Sequence, residues 1–104
     1  MFSKKQLLGM RIKEFREKRK LTQDKLAESV GIDSKHLSRI ENGRNYPSFE
    51  TLEKILESLD ISYEEIFKYS HFLDKEFLIT SINKKISTLN DEKLRFLYKI
   101  INEL

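Results

Sequence analysis

A chain of 104 residues with 38% apolar content is long enough for one compact domain and a small appendage. It contains no cysteine, which excludes disulfide scaffolds, thiol nucleophiles and thiolate metal sites, and its two histidines, His36 and His71, are too far apart in sequence to form a local ligand motif. The net charge of +3 is unevenly spread: residues 1–46 hold 12 Lys or Arg against 6 Asp or Glu and residues 47–104 hold 8 against 11, so a polyanionic partner is expected for the front half alone.

Glycine and proline are scarce, at 3 and 1, and apolar residues recur at spacings of three and four, which predicts an all-α protein. A first helix over about Lys5 to Lys20 places Leu8, Ile12 and Phe15 on one side. Thr22 then serves as N-cap of a second helix carrying Leu26 and Ala27, which Gly31 ends by supplying a left-handed residue. Asp33 or Ser34 caps a third helix that stops at Gly43. After "RNYP", where Pro47 holds Tyr46 extended, Ser48 opens a fourth helix with Leu52, Ile55, Leu56 and Leu59. The run "SYEE", Ser62 to Glu65, has the Ser-x-x-Glu form of a capping box and opens a short fifth helix with Ile66 and Phe67.

From about Ser70 the character changes. Ile79, Ile82, Ile86 and Leu89 are spaced 3-4-3, and so are Leu94, Leu97, Ile101 and Leu104, with Asn90 between them as break and N-cap. A helical hairpin is the simplest reading, giving two regions, 1–69 and 70–104. No apolar run reaches membrane-spanning length and no secretory leader pattern opens the sequence, so a cytoplasmic protein without membrane contact is expected.

The third helix carries the chemistry. On a helical wheel Ser34, Lys35, Ser38, Arg39 and Asn42 fall within one arc of about 140°, and Leu37 and Ile40 fall roughly opposite. One face packs and the other is free to read something. The preceding helix is short, the connection "SVGI" contains the glycine a tight turn needs, and Ala27 lets two helix axes approach, which together make a helix-turn-helix pattern.

The run "LTQDKLAESVGIDSKHLSRIENGRNYPSFETLEKILESLDIS", preceded by "RIKEFREKRK", resembles the Cro/CI-type (XRE) helix-turn-helix regulators of phages and bacteria over about residues 9–67. Its Gln-x-x-Leu-Ala, Gly-Ile, Leu-Ser-x-Ile-Glu-x-Gly and Pro-Ser elements occur in order with that family's spacings. The resemblance implies a five-helix, phage-repressor-like domain whose third helix enters the DNA major groove. The residue chemistry agrees. Lys35 and Arg39 can donate to guanine O6 and N7, Arg39 bidentately, and Ser34 and Ser38 can bond base edges or phosphates.

Gln23 matches the family's phosphate-contacting glutamine, and Asn42, Arg44 and Asn45 fall in a loop that faces the DNA backbone in this family. His36, at the edge of the reading arc, either touches phosphate or packs beside Ile40. Arg16 and Glu41 match positions that form an internal ion pair in the family. The opening "MFSKKQLL", with Lys4 and Lys5, is either an arm reaching backbone or minor groove or the frayed start of helix one.

Such proteins generally bind two half-sites as dimers. The surplus apolar residues of 70–104, among them Phe72, Phe77, Leu78, Phe96, Tyr98 and Ile100, favour homodimerisation on a palindromic operator over packing on the DNA-binding domain, and an effector or partner protein is a further candidate for that surface. The expected function is a sequence-specific transcriptional regulator, a repressor. The alternative is an antagonist or antitoxin-like protein-interaction module, which acidic or apolar residues on the exposed face of helix three would signal and which Lys35 and Arg39 oppose. An enzyme is not expected: Asp33, Ser34 and His36 are adjacent on one short helix, and no phosphate loop, metal-ligand cluster or cofactor motif occurs.

Overall fold

Helix α1, Lys4–Lys18, is started by a reciprocal cap at Ser3, as seen in a computed structural model that describes residues 2–104. The Ser3 hydroxyl accepts from the Gln6 amide N–H at 3.1 Å, and the Ser3 N–H donates to Gln6 Oε1 at 2.8 Å. This Ser-x-x-Gln capping box satisfies two otherwise orphaned donors, so Lys4 and Lys5 are helical rather than part of an extended arm. Met1, the first residue of that segment, lies outside the described residues.

The next elements follow from local caps. Thr22 accepts from the Lys25 N–H and opens α2, Gln23–Val30, which Gly31 ends at φ 83°, a conformation a Cβ would strain. Asp33 accepts from the Lys35 N–H and opens α3, Ser34–Glu41. Ser48 caps α4, Phe49–Leu59, and Ser62 caps the four-residue α5, Tyr63–Ile66. A short 3-10 turn, Ser70–Phe72, closes the first of two compact units, and the second runs Leu73–Leu104.

The core of the first unit lies where α1 to α5 converge. Leu8, Ile12 and Phe15 of α1 meet Leu26, Ala27 and Val30 of α2, Leu37 and Ile40 of α3, Leu52, Ile55, Leu56 and Leu59 of α4, and Ile66 of α5. Helices α1 and α3 approach so closely at Gly9 that a Cβ there would collide with the carbonyl oxygens of Ile40 and Glu41. Two arginines of the first helical segment hold the ends of later helices: Arg19 Nε donates to the Leu59 carbonyl at 2.9 Å, and Arg11 donates twice to the Glu65 carbonyl, at 3.1 and 3.2 Å. Cationic donors at carbonyls left open by a helix C-terminus satisfy both their hydrogen bonding and the negative end of the helix dipole.

The second unit has two helices, α6, Lys75–Ile86, capped by Asp74, and α7, Asp91–Asn102, capped by Asn90. The chain is therefore all-α, a five-helix domain followed by a helical pair, as its sequence predicts. Neither α6 nor α7 contains a buried residue. Ile82 is 54% exposed and Ile101 49%, whereas Leu37 of the first unit is 0% exposed. No helix among the described residues is long and apolar enough to cross a membrane.

Candidate nucleic-acid interface

Helix α3 is two-sided. Leu37 and Ile40 are buried and fix the helix against the core, whereas Lys35 and Arg39 are exposed and Ser34, His36 and Ser38 are half-buried. Among the described residues neither Lys35 nor Arg39 takes part in an ion pair, so both guanidinium and ammonium donors remain available to a ligand. Asn42 is the C-cap of α3, exposed, with its side-chain amide donating to Ser38 Oγ at 3.4 Å. Arg44 and Asn45 are exposed just beyond it, the Arg44 N–H bound to the Arg39 carbonyl at 2.9 Å. The structure thus brings Ser34, Lys35, Ser38, Arg39, Asn42 and the Arg44–Asn45 loop onto one helix and its immediate continuation.

The orientation of α3 is held by a buried polar cluster. Arg16 Nε and Nη2 donate to the two carboxylate oxygens of Glu41 at 2.7 and 3.1 Å, and Arg16 Nη1 donates to the Leu21 carbonyl at 2.8 Å. This bidentate geometry, with both residues buried, ties α1 to α3. The hydrogen bond to Glu41 holds the Arg16 guanidinium above its ordinary value, against burial, which acts in the opposite direction, so Arg16 stays charged throughout the physiological range.

Gln23 joins the same cluster. Its Nε2 donates to Glu41 Oε1 at 2.9 Å, which anchors the half-buried side chain at the start of α2 and commits one of its two amide hydrogens inward. Ser34, the first residue of α3, donates its hydroxyl to Asp24 Oδ1 on α2. His36, on the same helix, is half-buried.

Sequence reasoning missed Asp24, whose pairing with Ser34 depends on the crossing of two helices and leaves no local signature. It also missed Glu14, which accepts from Arg11 and from His71 Nε2, the latter at 2.8 Å, and so fastens the 3-10 turn to α1. Burial alone would raise the Glu14 carboxyl; the hydrogen bond and charge of His71, with Arg11, outweigh it and hold Glu14 below its ordinary value.

A helix-turn-helix domain family matches residues 9–69, more than half of the chain. The chain belongs to the Cro/CI-type (XRE) helix-turn-helix family. It is similar to the HTH-type transcriptional repressor RghR of Bacillus subtilis, 37% identical over 68 residues that cover 64% of this chain and 50% of the relative. The restriction-modification controller protein C.AhdI of Aeromonas hydrophila is similar in structure at a TM-score of 0.60 and 28% identity, covering 62% of this chain and 98% of that one. A chain of the SinR protein/SinI protein complex matches at a TM-score of 0.57 and 27% identity, covering 91% of this chain and 94% of that one. The chain spans about half the length of the curated relatives it matches, 50% of RghR and 41% of a Bacillus phage phi105 immunity repressor. Among the relatives matched, RghR is named a transcriptional repressor, the phi105 protein an immunity repressor and SinR a transcriptional regulator.

Proposed function

We propose that this protein is a sequence-specific DNA-binding regulator of transcription, acting as a repressor. The observation that carries the reading is the two-sidedness of α3: its apolar stripe is buried, its cations are exposed and without an ion pair among the described residues, and the Arg16–Glu41 pair ties it to α1. Family membership and the repressor and controller names of its relatives support it.

In this proposal α3 lies in the major groove. Lys35 and Arg39 donate to guanine acceptors, and Ser34 and Ser38 touch base edges. Gln23, Asn42, Arg44 and Asn45 bind phosphates and set the register, with His36 at the edge of the same surface. The anchoring of Gln23 on Glu41 leaves its second amide hydrogen for a phosphate.

One such helix reads only a few base pairs, so two copies on half-sites about 34 Å apart are needed for tight binding. The exposed apolar residues of α6 and α7 supply the joining surface in this reading, Ile79, Ile82 and Ile101 among them. They also suit a protein partner, which a helix-turn-helix module acting as an antagonist would use in place of DNA. The exposed cations of α3 favour the DNA reading.

Selection of duplexes from a random pool, followed by titration at two salt concentrations, tests the proposal. A steep salt slope and tight binding to an inverted repeat are expected; equal affinity for every duplex overturns it. Charging both helices with Ile82→Glu and Ile101→Glu should convert a dimer into a monomer in sedimentation equilibrium, and an unchanged mass removes α6 and α7 from the interface.

A further inference from the structure

The two serines of the α3 reading face are not equivalent. A serine hydroxyl has one proton to donate and lone pairs to accept with, whereas an ionised carboxylate can only accept. The contact between Ser34 Oγ and Asp24 Oδ1 therefore has one possible polarity, with the proton on Ser34 and directed at Asp24. Ser38, one turn along, instead accepts from the Asn42 amide at 3.4 Å and donates its own proton to no side chain among the described residues.

The consequence for recognition follows from the donor and acceptor pattern of DNA. Phosphate oxygens, guanine O6 and N7, and thymine O4 are all acceptors, and a hydroxyl whose proton is already committed has nothing to offer them. What Ser34 presents outward is lone pairs, which Asp24 makes more electron-rich by polarising the O–H bond. The major-groove donors are the amino groups of adenine N6 and cytosine N4. The negative charge of Asp24 beside Ser34 also disfavours phosphate at this point of the surface.

We propose that Asp24 is a specificity-determining positioning residue, which fixes Ser34 as a hydrogen-bond acceptor that reads the amino group of an adenine or cytosine in the major groove. Ser38 is left as the complementary donor for guanine or thymine acceptors. This rests on the DNA-reading role of α3 proposed above.

The test uses the full chain and a duplex that the wild-type protein selects from a random pool. Within each half-site every adenine is replaced in turn by purine and every cytosine by its 4-deoxy analogue, which removes the amino group and preserves base shape. At one position per half-site the loss should weaken wild-type binding about fivefold, the worth of one hydrogen bond. Ser34→Ala and Asp24→Ala should no longer sense that replacement. Asp24→Asn, which keeps a carbonyl acceptor for the Ser34 proton, should still sense it. Both Asp24 variants should bind random duplexes more tightly than wild type, because a negative charge has left the interface.

If Asp24→Ala keeps the amino-group dependence, or wild type shows none that Ser34→Ala removes, the inference is overturned while the DNA-reading role stands. A wild-type protein that selects no duplex above the random pool overturns both, and that outcome is recognised before any analogue is made.

Discussion

Leu37 in α3 and Ile101 in α7 sit on helices with the same kind of apolar spacing, yet Leu37 is 0% exposed and Ile101 is 49% exposed. The stripes of the first unit find their partners within the chain, where five short helices share one core. Neither α6 nor α7 contains a buried residue. The same pattern has two outcomes: in the first unit it seats α3 in a shared core, and in α6 and α7 it leaves Ile82 and Ile101 half-exposed.

Glu41→Ala leaves the buried Arg16 guanidinium without its carboxylate and frees Gln23, and should cost about 3–5 kcal/mol of stability in urea unfolding. A loss below about 1 kcal/mol would mean that the pair is solvated and behaves as a surface ion pair. Leu37→Ala should cost about 2–5 kcal/mol through lost burial and a residual cavity. Ile101→Ala at protein concentrations too low for association should cost well under 1 kcal/mol, in the range of surface substitutions of about 0.5 kcal/mol. Equal losses at the two sites would show that α7 is buried within one chain and would remove the contrast.

A smaller effect belongs to the turn that ends the first unit. Because the folded-state carboxyl of Glu14 lies below its unfolded value, its contribution is present above the ordinary glutamate range and is lost as pH falls through the folded value. Glu14→Gln should therefore be less stable than wild type at pH 7, and the gap should close as pH drops below about 4. A gap that widens on acidification would reverse the assigned sign. The measurement is a series of thermal melts of the two proteins across that range.

Much of the first unit is legible in sequence because its signals are local. Thr22, Gly31, Asp33, Ser48 and Ser62 each cap an element through a bond within a few residues of themselves, and such bonds depend on residue type and spacing alone. Ser3 carries a signal of the same kind, Ser-x-x-Gln, but the neighbouring Lys4 and Lys5 invite an electrostatic reading of the segment, and the capping box determines its structure. The outward arc of α3 is legible for the same reason, since it follows from helical period.

The links between helices are less accessible. Arg19 meets the Leu59 carbonyl across 40 residues, and Arg11 meets the Glu65 carbonyl across 54, through contacts that only the relative placement of helices decides. Asp24 and Ser34 are ten residues apart on different helices, and nothing in either residue's surroundings in sequence announces that one fixes the proton of the other. The 3-4-3 stripes of the second unit are legible as stripes, but their spacing reads the same whether the covering surface lies inside the chain or on another molecule.

Comparing Arg39→Ala with Gln23→Ala on a selected duplex and on its single-base-pair variants separates the base reading proposed for the exposed face of α3 from the phosphate binding proposed for the loop after it and the start of α2. Arg39→Ala should lose about 1–3 kcal/mol of binding and relax preference at one base pair, and Gln23→Ala should weaken all the duplexes together. An Arg39→Ala protein that binds the selected duplex and its variants as wild type does would show that Arg39 reads no base.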